Sequence, residues 1–346
     1  MRHRRYWQLL VPLPLLALAV ALIIWRGPNW KVVHDAFGAV TWEWVAAAIG
    51  FNLLSVLARA FAWDTAIAQS IEPPHPRFPL VFSAFSVGLF ANAVLPGRVG
   101  ELARVAVLRR RLTGRKGTTA TLVGSVFAHR IFDLFPAVAL VTWVLLAAKI
   151  PSWALTSIAV VVVIGVAMFL AALMLARRQG RRDSQDLGRL RSLLVRARQG
   201  LAIMRSPAAA VTAGAFQFGG WICQLFAVWA AMEAFGIHLP IVAAGLVLVL
   251  MNVATIFPLW PGNFGLVQIA VAFPLTNYGV EYAHGVAFGI GLQAIEASVG
   301  VGVGLIFLAR EGLSYATLRD IDDSAGHGSD DVVQEEPLDD RARVAG

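Results

Sequence analysis

Cysteine is almost absent: Cys223 stands alone in 346 residues. A lone thiol closes no intrachain disulfide and supplies too few ligands for a thiolate metal site. Charge is scarce too. Asp, Glu, Lys and Arg make up 14% of the chain, against about 25% in an average globular protein. With 58% hydrophobic residues and long uninterrupted apolar runs, the chain is built for a bilayer rather than for water. There is no phosphate-cradling Walker loop, no histidine-rich cluster and no large polar segment to hold a nucleotide, so the signatures of soluble enzymes are missing. Neither a metal nor a cofactor is expected.

The charge that exists is unevenly placed. Residues 319–346 carry nine acidic side chains against three arginines, and the remainder carries 26 basic against 12 acidic. A basic excess of this kind can mark a nucleic-acid partner, but here the arginines sit in short stretches between apolar spans. That pattern points to the cytoplasmic face and its anionic lipids, and no nucleic-acid partner is expected.

A spanning helix needs about 20 mostly apolar residues. Residues 7–25, 42–63, 119–147, 153–176, 208–232 and 285–309 meet that test. The first could be a signal peptide cleaved near Ala17-Leu18-Ala19, but its apolar run continues through Ile24, which favours an uncleaved anchor. Two further apolar segments, 78–108 and 240–275, are each interrupted by the same pattern. Pro96-Gly97-Arg98-Val99-Gly100 breaks one and Pro261-Gly262-Asn263-Phe264-Gly265 breaks the other, 165 residues later. Broken backbone at membrane depth is tolerated only inside protein or beside a watery cavity, and paired breaks in corresponding halves point to a transport site.

Nine arginines in 177–207, seven basic residues in 98–116 and three arginines at the N-terminus place those three stretches in the cytoplasm. If 78–95 spanned fully, Arg109, Arg110 and Arg111 would fall on the wrong side. A re-entrant hairpin turning at Pro96-Gly97 removes the conflict, and a second, turning at Pro261-Gly262, enters from the opposite face. The expected fold is therefore an all-α polytopic integral membrane protein with about six full spans plus two re-entrant helical hairpins in an inverted repeat. Both termini are cytoplasmic, and the setting is a bacterial cell membrane. Eight ordinary spans are the alternative. The organisation reads as an N-terminal anchor helix and external loop (1–40), a first membrane repeat with an added span (41–176) and an Arg-rich cytoplasmic loop (177–207). A second repeat (208–314) and an acidic disordered tail (315–346) follow.

Ionisable residues inside spans mark pathways or internal pairs. His129, Arg130 and Asp133 fall near the middle of 119–147, with Arg130 and Asp133 on one helix face. Glu296, moved back by the offset of 165, falls at position 131 beside Arg130, so the three are expected to share one polar site. Gln268 and Gln293 are polar neighbours on the same elements. After the first break, Arg98, Glu101 and Arg104 form a ladder at steps of three, beside the free N–H groups of a helix start at Val99. Arg98 and Arg104 are thus expected to take a lipid phosphate. Asn92 and Asn252 precede the two breaks and are expected to satisfy freed backbone groups; Gly100 and Gly265 close the two turns. Arg59 and Asp64 read as a local pair near the interface.

These residues resemble a known set. Asn92 through Arg104, with Pro96-Gly97-Arg98-Val99-Gly100-Glu101 at its centre, is similar to the first signature of the lysylphosphatidylglycerol synthase transmembrane-region family. His129-Arg130-Ile131-Phe132-Asp133 resembles its Glu-Arg-x-x-Asp motif, with His in place of Glu. Pro258-Leu259-Trp260-Pro261-Gly262-Asn263-Phe264-Gly265 resembles its Pro-x-x-Pro-Gly-Gly-x-Gly motif, with Asn263 in place of the second Gly. Arg59 through Trp63 is similar to the Arg-rich end of its second helix. The resemblance runs from about Thr41 to Leu308. In the multiple peptide resistance factor this region is a lipid flippase joined to a soluble aminoacyltransferase, so the resemblance implies the translocating part and not lysyl transfer.

Three functions stay open. The leading one is a flippase or transporter for an anionic or phosphate-linked lipid, working by alternating access around a midplane polar site. A membrane-embedded enzyme acting on a lipid or polyprenyl-phosphate headgroup is the second, and a scaffold of an envelope-synthesis complex the third. The expected partner is a membrane phospholipid or polyprenyl-phosphate lipid, with a homo-oligomer left open.

Overall fold

The computed structural model describes residues 28–95, 99–112, 118–148, 206–255 and 263–310. The expected spans at 7–25 and 153–176, the Arg-rich loop, the acidic tail and the turn residues Pro96, Gly97, Arg98, Pro261 and Gly262 lie outside them. Within the described residues the regular structure is helical. The helices are α1 (Trp30–Gly38), α2 (Trp42–Ser70), α3 (Phe78–Val94), α4 (Gly100–Arg111) and α5 (Thr118–Ala147). After the next described segment begins come α6 (Pro207–Ala234), α7 (Ile241–Ala254), α8 (Leu266–Leu275) and α9 (Tyr282–Arg310).

Four of these helices are long and apolar enough to cross a membrane: α2, α6, α9 and the 121–147 part of α5. They coincide with four of the expected spans, although α2 runs on to Ser70, two turns past Trp63. The 17-residue α3 and 14-residue α7 are shorter, and each is followed by a break and a short helix. At about 1.5 Å per residue, α3 reaches roughly 25 Å, less than a hydrocarbon core of about 30 Å. Each of the two interrupted segments thus holds two helices of unequal length.

Local chemistry explains the ends. Asn29 caps α1 by accepting from the Lys31 N–H (3.1 Å). Val33 and Ala36 of α1 face the core, while Trp30 and Phe37 are exposed, the pattern of a short helix lying at an interface. Ser206 caps α6 with Pro207 in its first turn, where a missing N–H costs nothing. Helix α4 opens on Glu101 and closes on Arg109, Arg110 and Arg111, matching both ends of its dipole. Pro136 sits inside α5 one turn after Asp133 and removes one backbone hydrogen bond there.

Helices α2 and α6 form the most extensive pair. Trp44 meets Trp229, Phe51 stacks on Phe226 and Phe61 stacks on Phe216, at ring separations of 5.5, 5.6 and 5.2 Å. One series rises as the other falls, so the two helices are antiparallel. The break between α3 and α4 is closed by Asn92, whose Oδ1 accepts the Gly100 N–H (2.8 Å). The arms touch backbone to backbone there: a Cβ on Gly88 would lie 2.7 Å from the Gly100 carbonyl oxygen. The second break uses the same device. Asn263 Nδ2 donates to the Ala254 carbonyl (3.0 Å), and Gln268 Oε1 accepts the Gly265 N–H (2.6 Å). Gly265 has φ +86°, a conformation that suits glycine. Asn252 instead donates to Leu248 O within its own helix (2.8 Å).

A Cβ on Gly100 would lie 2.6 Å from Asn92 Cγ, and backbone on the far side leaves no room to yield. Gly100→Ala should therefore lower stability by about 1–3 kcal/mol, seen as a lower unfolding midpoint in detergent. Gly50→Ala, with nothing within 4 Å of the added atom, should leave that midpoint unchanged or slightly raised.

Candidate functional site

Apolar helices enclose one strongly polar cavity of about 210 Å³. Three arginines line it (Arg59, Arg104 and Arg130), along with three carboxylates (Glu101, Asp133 and Glu296), and also His129, Asn92 and Gly100. The structure thus brings together Arg130, Asp133 and Glu296 with two members of the Arg98–Glu101–Arg104 ladder; Arg98 lies outside the described residues.

The charges are shared unequally. Arg130 is bound by two carboxylates. Its Nη1 donates to Asp133 Oδ2 (3.1 Å), and its Nε and Nη2 both donate to Glu101 Oε1, the Nε bond at 2.7 Å. Glu101 is on α4 and Asp133 on α5, so this pair pins the short hairpin arm to a spanning helix. Asp133 Oδ1 accepts two more bonds from α6, from Gln217 Nε2 (2.5 Å) and Trp221 Nε1 (2.7 Å). Glu296 on α9 is held by an amide: its Oε1 accepts from Gln224 Nε2 (3.0 Å).

Among the described residues Arg59 and Arg104 have no carboxylate in ion-pair contact, and aromatic faces hold them instead. The Arg104 guanidinium lies 4.7 Å from the Trp63 ring centre and 5.6 Å from that of Phe85. Trp63 is itself fixed by donating to Ser125 Oγ (3.2 Å). Arg104 is only 4% exposed, and its Nε and Nη2, the edge that grips a carboxylate or phosphate side-on, have no hydrogen-bond partner. Arg59 lies 5.3 Å over Trp221, and its Nε is likewise without a partner. A cation over an aromatic ring is stabilised by roughly 0.5–2 kcal/mol, well below the cost of desolvating an unpaired charge. His129 is 4% exposed and donates from Nε2 to the Arg59 carbonyl (3.2 Å), which leaves its Nδ1 as a buried acceptor without a partner.

Two sequence expectations are corrected here. Glu101 does not pair along its own helix with Arg104: it reaches α5, while Arg104 turns inward over Trp63. Arg59 does not pair with Asp64 but faces the cavity against α6. Arg59 and Trp221 were the important omissions, with Gln217 and Gln224. A signal existed. Asn52, Ser55 and Arg59 make a polar stripe on α2, and an offset of 165 puts Gln217 opposite Asn52 and Gln224 opposite Arg59. Gln268 and Gln293 are joined by a hydrogen bond (2.6 Å) and are not among the residues that line the cavity. Asn252 lines a second cavity, next to Arg130 and Asp133. Among the described residues no group of His, Cys, Asp and Glu is arranged to hold a metal ion.

Long apolar helices around an internal polar site define an all-helical integral membrane protein. The chain belongs to the lysylphosphatidylglycerol synthase TM region family, whose model matches residues 9–304, most of its length. That family is a membrane domain associated with lipid synthase and flippase proteins. No curated protein and no solved structure matches the chain.

Asp133 satisfies three donors from two helices, with its side chain 15% exposed, whereas Glu101 is 33% exposed and serves Arg130 alone. Asp133→Ala should then destabilise the protein by about 3 kcal/mol, and Glu101→Ala by about 1 kcal/mol or less. Chemical unfolding in detergent of the two variants side by side checks the order.

Proposed function

We propose that this protein moves a phosphate-bearing membrane lipid across the bilayer, admitting the headgroup to the polar cavity. One observation carries the reading: among the described residues Arg59 and Arg104 line the cavity with no carboxylate in ion-pair contact, the third carboxylate there, Glu296, being held by Gln224. An unpaired guanidinium in such surroundings costs several kcal/mol, and an oxyanion entering the cavity offsets that cost through charge-assisted hydrogen bonds. Arg104 presents the planar edge that fits phosphate, one turn into α4, whose N-terminal dipole end adds positive potential there.

The arrangement of helices supports movement rather than binding alone. Helices α2 to α5 and α6 to α9 follow the same order of long, short, shorter, long, and the corresponding pair α2 and α6 is antiparallel. We take this as an inverted repeat with two hairpins of opposite orientation, which gives two states of similar energy related by exchange of the halves. The basic stretches support a cytoplasmic position for both termini, and a bacterial cell membrane is the setting we propose.

Two outcomes check the proposal. In a variant lacking Cys223, single cysteines at Arg77 and Arg110 should label from one face of the membrane, and those at His238 and Glu281 from the other. Labelling of Arg77 and Arg110 from opposite faces would mean a full span in place of the first hairpin. In vesicles containing fluorescent phosphatidylglycerol, Arg104→Ala should slow lipid movement by about tenfold or more, the worth of lost charge-assisted bonds, with membrane insertion unchanged. Arg104→Lys should restore part of the rate, since an ammonium lacks the planar fork. Normal movement by Arg104→Ala would sink the assignment, and a covalently altered lipid in the same vesicles would identify an enzyme instead.

A further inference from the structure

A groove of about 380 Å³ runs beside the polar cavity, between α5, α6 and α7. Its walls include Leu134, Ala137 and Val141 of α5, Trp221 of α6, and Val249 and Val253 of α7. Arg130 and Asp133 line both the groove and the polar cavity. The two spaces therefore share a single charged wall, with the polar cavity on one side and, on the other, a groove whose further lining is apolar apart from Asn252 and the Trp221 indole.

The groove follows the geometry of α5. Arg130, Asp133, Leu134, Ala137 and Val141 lie at helical spacing along one face, charged at one end and apolar below. From Arg130 to Val141 the strip is roughly 16 Å long at 1.5 Å per residue. That is about half of a hydrocarbon core of about 30 Å, the depth of one leaflet. The fold does not force the opening. The matching contact in the other half, α9 against α3, is closed: a Cβ on Gly304 would lie 2.9 Å from the Ser86 carbonyl oxygen. Leu134, 62% exposed, belongs to the open side.

We propose that the groove holds one acyl chain of the lipid whose headgroup occupies the polar cavity, with Arg130 and Asp133 at the junction of head and chain. This rests on the lipid reading above and narrows it: the ligand is a chain-bearing phospholipid, and a water-soluble organophosphate fills only half of the site. Continuity with the cavity and the order of polar then apolar lining select this occupant, because an amphiphile is the ligand that presents both surfaces in that order.

The test uses the full-length protein in vesicles containing phosphatidylglycerol with a photoreactive diazirine in one acyl chain. Irradiation followed by peptide mapping should place adducts on residues 134–141 and 249–253 several-fold more often than on Leu305 and Ile306, which are exposed on α9. Ala137→Trp, which fills the groove, should reduce those adducts to the α9 level and slow lipid movement several-fold. Adducts no more frequent in the groove than on α9 would leave only annular lipid and overturn the proposal. The map on the unaltered chain decides this even if Ala137→Trp does not fold. Groove adducts without lipid movement would support the chain site and defeat the transport reading, so the two failures are separable.

Discussion

The structure around the cavity depends on how one guanidinium is neutralised. Arg130 is gripped by Glu101 from the short arm α4 and by Asp133 from its own helix, and Asp133 is in turn held by Gln217 and Trp221 of α6. Three elements meet through this set of bonds. A charge of this kind is least costly among apolar helices when it is paired and its partners are themselves satisfied. Glu101 and Asp133 are engaged by Arg130 and Glu296 is held by Gln224, so Arg59 and Arg104 are left to Trp221, Trp63 and Phe85. Their aromatic partners orient them without cancelling their charge.

The two helix breaks follow one structural rule and carry different chemistry. Each is closed by a side-chain amide: Asn92 accepts from Gly100 at the first, while Asn263 and Gln268 bond backbone groups at the second. Unsatisfied peptide groups are costly in lipid, so both halves need such a device. Beyond the first break stand Glu101 and Arg104. At the matching distance beyond the second stand Leu266 and Ile269, and the polar contact there is the uncharged pair Gln268–Gln293. The two breaks are thus alike in how their backbone is closed and unlike in charge. A polar site on one side only is what a protein needs in order to distinguish a headgroup from the chains attached to it.

The four long described helices were legible in low charge and apolar runs. The first Pro-Gly pattern follows directly on the end of α3, whereas α7 stops at Ala254, seven residues ahead of Pro261. The site was legible in part. Arg130, Asp133 and Glu296 stood out because ionisable residues are rare inside spans, and all three line the cavity, with Glu296 held by Gln224. Arg59 did not stand out, because Asp64 five residues later offered an obvious local partner.

The amino-acid sequence by itself determined that this chain lies in a membrane, where its helices break and which few charges it buries, since each of these follows from local hydrophobicity or from what a single residue does to the backbone. Only the tertiary structure decided which charge meets which. Arg104 could pair with Glu101 along α4, and Arg59 with Asp64 near the end of α2. Packing of α4 on α5 and of α2 on α6 brought other partners closer, Arg130 for Glu101 and Trp221 for Arg59. Pairing energies fall off over a few ångströms. Sequence spacing fixes such distances only within one helix, and between helices they are set by how the helices cross.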